Sequence, residues 1–373
     1  MSDLSNRPIR NFVLGFFRGS FLWRLATLVV IAGIAGVVIL VSGVVPVKAS
    51  SGHWEITNWF LSFASSRSVA TNSIGIEPPE LDNPHQVHLG AVHYESGCQW
   101  CHGSPDERRP KVPLAMTPPP PYLPDSMHRW SNAELFYIVK HGIKFTGMPA
   151  WPSKVRDDDA WHVVAFLRAF PDIDSGKYRE LTGRSSKPGS QEESVGGALH
   201  QCIACHGVDG NQQMGGLVPR LAGQSFAYMQ NSLRAYADGT RHSGIMETIA
   251  SRLTPDEMAS LVAHYESQNS SQDNLSQPDN ILLARGREIA AGDAVLGLRP
   301  IPGCAHCHEA GAEADYPQLA GQPAEYLTLQ LRLFQKRERG GRHANRMYPT
   351  VDLLSDEDIE AVAAYYAALA PSP

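Results

Sequence analysis

Two thiols separated by two residues and followed directly by a histidine occur three times in this chain. The copies are Cys98-Gln99-Trp100-Cys101-His102, Cys202-Ile203-Ala204-Cys205-His206 and Cys304-Ala305-His306-Cys307-His308. On one turn of backbone, such thiols can reach the two vinyl groups of a single porphyrin, and the adjacent imidazole can bind the iron as its proximal ligand. The pattern therefore predicts three covalent haem c groups, held by Cys98, Cys101, Cys202, Cys205, Cys304 and Cys307 and ligated by His102, His206 and His308.

Two other chemistries of a paired-cysteine motif fit this chain less well. A zinc site needs its ligands grouped in fours within one small fold, whereas these pairs lie about a hundred residues apart. A thioredoxin-like dithiol would follow a strand and has no use for the trailing histidine. The three motifs contain all six cysteines, so none remains for a disulfide or for thiol catalysis.

The length of 373 residues and the even motif spacing predict three small domains, each with a haem in its core. We expect a cytoplasmic N-terminus and transmembrane anchor (1–48), an amphipathic and extended connector (49–84), a first haem domain (85–171), a linker (172–197), a second haem domain (198–267), a linker (268–280) and a third haem domain (281–373). Capping-box patterns predict helices that begin at 131–134, 254–257 and 355–358. The prolines between 113 and 124 predict a non-helical stretch.

The second and third haem domains are repeats of one another. The segment 221–224, Leu-Ala-Gly-Gln, recurs 98 positions later at 319–322, and Tyr228 and Leu233 recur at the same offset as Tyr326 and Leu331. Further along the offset becomes 101, because Arg241-His242 matches Arg342-His343, Met246 matches Met347 and Tyr265 matches Tyr366. Three residues are therefore inserted in the third domain between these two blocks.

The repeat selects the distal iron ligands. Met347 is the only methionine after Cys307, and its repeat counterpart is Met246. In the first domain Met148 is favoured over the two other methionines. Its distance along the sequence from Phe166 is nearly the same as the distance from Met246 to Tyr265 and from Met347 to Tyr366. The prediction is that Met148, Met246 and Met347 complete the iron coordination.

Alternatives to methionine ligation stay open. Any single methionine is more often a core residue than a ligand. His242 and His343 also recur, four residues before the methionines, and would give bis-histidine iron. Because a second-shell acceptor usually orients a metal-bound imidazole, we expect the carbonyls of Pro219 and Pro317 to bond the proximal histidines of the repeats.

The charge of the chain is unevenly distributed. The formal net charge is −6, and because residues 1–48 contribute +4, the remainder carries −10. An acidic soluble part argues against a nucleic-acid partner, and it would attract a basic partner such as a small cytochrome.

The segment 25–47 contains 23 residues without a charge, enough to span a bilayer as a helix. A cleaved signal peptide is the rival interpretation, but its apolar region would be shorter. Four arginines before the span predict a cytoplasmic N-terminus, with everything after Lys48 on the periplasmic side of the inner membrane. Between Trp54 and Val69, apolar and polar residues alternate partly at helical spacing. This stretch either lies on the membrane surface or packs onto the first haem domain or a partner subunit.

Beyond the motifs, the residues resemble a known family. Residues 195–370 resemble the dihaem class I cytochromes of the c-four type. The resemblance rests on Cys202–Gly207 with Asp209-Gly210, the two Pro-x-Leu-Ala-Gly-Gln segments, the Arg-His-x3-Met blocks, and Tyr265 and Tyr366. Residues 85–171 resemble, through Lys140–Pro149, class I domains of membrane cytochromes that serve periplasmic dehydrogenases and terminal oxidases. The resemblance implies an all-α fold of class I cytochrome c domains after one transmembrane helix, with His/Met iron and electron transfer without substrate chemistry.

The functional hypothesis is a membrane-anchored carrier with three haems. Its electron donor would be a quinol-oxidising complex or a periplasmic dehydrogenase, and its acceptor a terminal oxidase or a small soluble cytochrome. Two alternatives are a haem enzyme of the peroxidase type with one open iron, and the cytochrome subunit of a membrane-bound dehydrogenase. A methionine in every haem domain favours the carrier, because it leaves no vacant iron position.

Overall fold

The computed structural model describes residues 21–45, 48–123, 126–184, 198–212, 214–271, 279–292, 303–309 and 315–371, and these contain helices but no strand. Two compact units are present, Met1–Thr57 and Asn58–Pro373. The α-helices are α1 (Phe21–Ser42), α2 (Glu55–Asn72), α3 (Pro84–Gly97), α4 (Gln99–His102), α5 (Lys111–Leu114), α6 (Asn132–His141), α7 (Asp157–Ala169), α8 (Ser175–Leu181), α9 (His200–His206), α10 (Phe226–Ala237), α11 (Met246–Ala250), α12 (Pro255–Glu266), α13 (Asn280–Ala291), α14 (Ala305–His308), α15 (Ala324–Gln335), α16 (Ala344–Val351) and α17 (Asp356–Ala368). The all-α fold class is thereby confirmed.

Helix α1 is long and apolar enough to cross a membrane by length and composition, with a mean hydropathy of 2.7. It ends at Ser42, five residues before the predicted end of the span. The reason is Gly43, whose φ of 64° lies in the left-handed region that commonly terminates helices. Residues 46 and 47 of the predicted span lie outside the described residues.

Helix α2 confirms the helix predicted between Trp54 and Val69. In its last turns Val69 is buried, and Ser66 accepts a hydrogen bond from Arg129 at 3.4 Å. This end of the helix therefore packs onto the part of the chain that carries the first motif. The aromatic residues nearer its start stay exposed, including Trp59 at 62% and Phe60 at 58%. The packing interpretation therefore holds for the end of the helix, and the aromatic part has an open apolar surface.

Three segments carry one motif each: the first segment (84–184), the second (198–271) and the third (279–371). In the first, α3 crosses α7 at Gly90, where a Cβ atom would lie 2.0 Å from the carbonyl oxygen of His162. In the third, α13 crosses α17 at Gly286, where a Cβ would lie 2.2 Å from the Ala361 oxygen. Helices α3 and α7, and likewise α13 and α17, thus approach closely because a glycine has no side chain.

The helix ends follow the predicted signals. Capping boxes at Ser131, Thr254 and Ser355 start α6, α12 and α17, as predicted. The proline-rich stretch differs from its prediction at its first residues, because Pro113 lies within the single turn α5. Proline is tolerated there because amides in the first turn of a helix have no intrahelical partner.

The predicted linker 172–197 also differs from the structure at its start. Helix α8 lies within it, and its Tyr178 and Leu181 belong to the core of the first segment. Tyr178 is fully buried and its hydroxyl donates to Glu95 at 2.7 Å. Residues 185–197 of this predicted linker, and 272–278 of the next, lie outside the described residues.

Candidate haem-binding sites

Each cysteine–histidine motif forms one turn of helix. In the first, the amide of His102 donates to the Cys98 carbonyl at 3.0 Å, and in the third His308 donates to Cys304 at the same distance. Helix α9 gives the second motif the same conformation. No cysteine is in a disulfide. The two thiols and the imidazole of each motif are therefore presented from one helical turn, as covalent haem attachment requires.

The environment of the thiols argues against thiolate chemistry. Burial raises the pKa of Cys98, Cys202 and Cys205 to about 12 and that of Cys304 to about 11. At neutral pH such thiols stay protonated, and a protonated thiol is a poor nucleophile and a poor zinc ligand. In a redox cysteine, a nearby cation or a helix N-terminus lowers the pKa of the thiol. No cation lowers the pKa of these four thiols.

Every motif histidine has a proline carbonyl as partner. The Nδ1 atoms of His206 and His308 lie 3.1 and 2.9 Å from the oxygens of Pro219 and Pro317, which confirms both predicted acceptors. In the first segment, where the sequence offered too many prolines to choose one, His102 Nδ1 lies 3.0 Å from the oxygen of Pro121. Burial lowers the pKa of His206 to about 4 and lowers those of the other two. Each imidazole is therefore neutral at pH 7, with Nδ1–H bonded to a carbonyl and Nε2 available to a metal.

The second and third motifs share one cavity of about 590 Å³. Its lining includes the predicted attachment and ligand residues of both motifs: Cys202, Cys205, His206, Met246, Cys304, Cys307, His308 and Met347. His343, the alternative ligand in the third segment, also lines it, whereas His242 does not. The structure thus brings the predicted ligands of these two segments into one space.

Four arginines line this cavity without a carboxylate partner among the described residues, and three of them, Arg220, Arg241 and Arg339, are buried or half-buried. Arg220 is only 2% exposed, and its Nε and Nη1 atoms have no hydrogen-bond partner. Arg241 bonds the hydroxyls of Ser232 and Tyr326, and Arg339 bonds the Gln330 amide oxygen. Buried cations without an anion are costly. A haem carries two propionate carboxylates, so its charge, apolar body and iron fit the residues that line this cavity.

The predicted ligand of the first segment, Met148, is half-buried in a clamped loop. Gly142 turns the chain with a φ of 63°, and a Cβ there would lie 2.5 Å from the Pro149 carbonyl. Lys140, 8% exposed, donates to the carbonyl of Ser153 at 3.1 Å and pairs with Asp157. The segment 140–149 that carried the resemblance therefore holds the methionine loop in place.

The other two methionines of the first segment have different places. Met127 is 3% exposed and packs in the hydrophobic core of the first segment. Met116 approaches the Met148 loop, since a Cβ on Gly147 would lie 2.7 Å from its sulfur.

The first segment docks onto the second beside the second motif. Leu89 of α3 packs in one apolar cluster with Cys205 and also lines the shared cavity. The carboxylate of Asp159 accepts from Ser243 Oγ at 3.1 Å and from the Gly244 amide at 3.0 Å, and Ser243 Oγ accepts from the Met246 amide at 3.2 Å. Asp159 is therefore two hydrogen bonds away from the backbone amide of a predicted iron ligand.

A buried ion pair completes this docking. Arg156 lies 2.9 Å from Asp159 and donates to the His242 carbonyl at 3.0 Å. Burial raises the pKa of Asp159, and the positive charge of Arg156 opposes that rise. Sequence reasoning missed these residues, and the only local signal is the acidic first turn of α7, which reads as ordinary helix capping.

Comparison with known proteins gives the same assignment for most of the chain. Residues 85–167 match the family described as cytochrome C oxidase, cbb3-type, subunit III, and residues 196–268 and 283–370 match the family described as cytochrome c. A thiosulfate dehydrogenase electron acceptor of Thiomonas intermedia is 32% identical over 176 residues, which cover 46% of this chain and 80% of that protein. The cytochrome c4 of Pseudomonas aeruginosa is 30% identical over 169 residues, covering 44% of this chain and 81% of that protein.

Proposed function

The chain belongs to the cytochrome c family, and from that premise we propose that it is a membrane-anchored electron carrier with three haem c groups in series. Electron transfer follows from the family. The number of haems, the anchor, the ligands and the partners are the content of the proposal.

Each segment holds its haem with its own residues. The motif cysteines would form the thioethers, and His102, His206 and His308 together with Met148, Met246 and Met347 would bind the iron. A haem iron with these two ligands supplies one-electron transfer at a potential raised by the methionine. The proline carbonyls fix the tautomer and the orientation of each imidazole. Methionine ligation of every iron would leave no open coordination position for a substrate.

The observation that carries the proposal is the continuity between the segments. The second and third motifs line one cavity, and Leu89 of the first segment packs against Cys205 of the second motif. Three haems held by these residues would form a row in the order of the segments. A row of this kind connects partners held at different places, whereas a diffusing shuttle needs only one haem.

The relatives suggest what stands at each end of the row. Two relatives are named as electron acceptors of thiosulfate dehydrogenase, which supports a periplasmic dehydrogenase of that kind as donor to the second and third segments. The first segment matches a subunit family of a terminal oxidase, which supports delivery there. Helix α1 would anchor the chain in the membrane, with the haems on the periplasmic side.

Mass spectrometry of the denatured protein tests the haem number. Expression with full haem-attachment machinery should add three haems, and a Cys98→Ala, Cys101→Ala variant should add two. A lower mass for the unaltered chain would contradict the proposal. N-terminal sequencing tests the anchor, because a mature chain that begins at Ser50 has lost α1.

Ligand binding separates the carrier from the peroxidase alternative. With methionine on all three irons, the reduced native protein should show low-spin spectra, no rapid binding of carbon monoxide and negligible turnover of peroxide. A high-spin haem with peroxidase activity would reverse the assignment.

A further inference from the structure

Two glutamines cross between the second and third segments in a reciprocal way. Gln322 of the third segment accepts from the Arg220 amide at 3.0 Å and donates to the Arg220 carbonyl at 2.9 Å. Gln224 of the second accepts from the Gln318 amide at 3.1 Å and donates to the Gln318 carbonyl at 2.7 Å. Both glutamines are only 4% exposed, so water does not compete strongly for these hydrogen bonds.

The bonded amides belong to the peptide groups that hold the proximal histidines. The Pro219–Arg220 peptide accepts from His206 through its oxygen and donates to Gln322 through its nitrogen. The equivalent peptide, Pro317–Gln318, accepts from His308 and donates to Gln224. Each proximal histidine is therefore two hydrogen bonds away from a glutamine of the other segment.

Hydrogen bonds at the two ends of one peptide reinforce each other. Donation from the N–H to an amide oxygen pushes electron density toward the carbonyl oxygen, which makes that oxygen a stronger acceptor. A stronger acceptor at Nδ1–H gives the imidazole more anionic character and makes it a better donor to iron. Such a donor stabilises ferric iron, so it lowers the reduction potential.

We infer that Gln224 and Gln322 are positioning residues that act across the interface between the second and third segments. Each sets the strength of the hydrogen bond made by the proximal histidine of the other segment, and thereby the reduction potential of the haem in that segment. The inference rests on the proposed function in that His206 and His308 bind iron. The reduction potential of the second haem then depends partly on Gln322 of the third segment, and that of the third haem partly on Gln224 of the second segment.

The test compares Gln322→Met and Gln224→Met in the full chain. Methionine has a similar shape and cannot accept the peptide N–H bond. Gln322→Met should raise the potential of the second haem, and Gln224→Met that of the third, each with a much smaller shift at the other haem. A redox titration followed by NMR measures this, because the methyl resonances of each haem report its own potential. In the reduced protein the Nδ1–H proton of His206 should move upfield in Gln322→Met, since its hydrogen bond weakens.

The control is Gln335→Met, which removes a glutamine of the third segment that bonds only the carbonyls of Val351 and Leu354. It should leave the potential of the second haem unchanged. Equal shifts at both haems in each variant, or a shift confined to the haem of the mutated segment, would overturn the inference. Either result leaves the haem count and the low-spin spectra intact, so failure of the inference is distinguishable from failure of the proposed function.

Discussion

The second segment has two neighbours, and it contacts them by different designs. Its interface with the third segment is reciprocal: Gln224 and Gln322 bond the opposite backbones, and Arg241 bonds Tyr326 while Arg339 bonds Tyr228 at 3.4 Å. Its interface with the first segment has no such symmetry. There Arg156 and Asp159, at the start of α7, bond His242 and Ser243, which lie just before Met246.

The difference shows what duplication does to an interface. Two copies of one segment can meet through the same surface, so each contact is made twice, as in a two-fold dimer. The first segment lacks that surface and attaches instead through the buried Arg156–Asp159 pair and the apolar contact of Leu89. The pair should therefore behave as one unit with a shared cavity, and the first segment as an attached neighbour.

The largest expected effect comes from emptying the shared cavity. A Cys202→Ala, Cys205→Ala variant should lose one haem and also lower the thermal stability of the third haem site, because the residues proposed to hold both haems line one cavity. The matched Cys98→Ala, Cys101→Ala variant should lose one haem and leave the other two sites unchanged. Mass spectrometry gives the haem number, and Soret absorbance during heating gives the stability. Equal effects of the two variants would remove the distinction between the interfaces.

The next effect concerns the contact between the first and second segments. Asp159→Asn removes the charge that accepts from Ser243 and Gly244, and hydrogen bonds to a buried charge are worth about 3 kcal/mol in total for such a pair. Denaturant unfolding should show the first segment separating from the pair at lower denaturant concentration, with a shifted potential at the second haem. Asp158→Asn is the control, because Asp158 bonds Arg156 but no residue of the second segment among the described contacts. Identical curves for the two variants would contradict the docking role.

A smaller effect is the acid sensitivity of the first segment. Burial lowers the pKa of His93 to about 3 and that of His162 to about 4, so both are neutral in the folded state at pH 7. A depressed pKa of a base contributes stability that is complete above the unfolded value of 6.5 and is lost as pH falls toward the folded value. The first segment should therefore lose stability below about pH 6.5, and His93→Leu should weaken that dependence. A variant with an unchanged pH profile of unfolding would contradict this assignment.

Local patterns predicted the local parts of this structure. Capping boxes gave the starts of three helices, and the motif spacing with the expectation of a second-shell acceptor gave Pro219 and Pro317. Each of these features depends on residues close in sequence or on a repeat that the sequence displays.

Contacts across the chain were beyond sequence reasoning. Asp159 and Ser243 are 84 positions apart, and nothing local to either indicates the other. The repeat alignment paired Arg241 with Arg342, yet Arg339 makes the contact that mirrors Arg241, and Arg342 pairs with Asp315. The insertion in the third segment therefore follows Arg339, which only the position of Tyr228 reveals.

Electron flow through the first haem tests the central claim most directly. Membranes that contain the full chain and a terminal oxidase are supplied with thiosulfate and thiosulfate dehydrogenase, and oxygen consumption is measured for Met148→His and for Met246→His. Histidine lowers the potential of the altered haem, and a series conductor is limited by its worst step, so both variants should slow oxygen consumption. If Met148→His left the rate unchanged while Met246→His abolished it, the first haem would lie off the path and the proposal of three haems in series would fail.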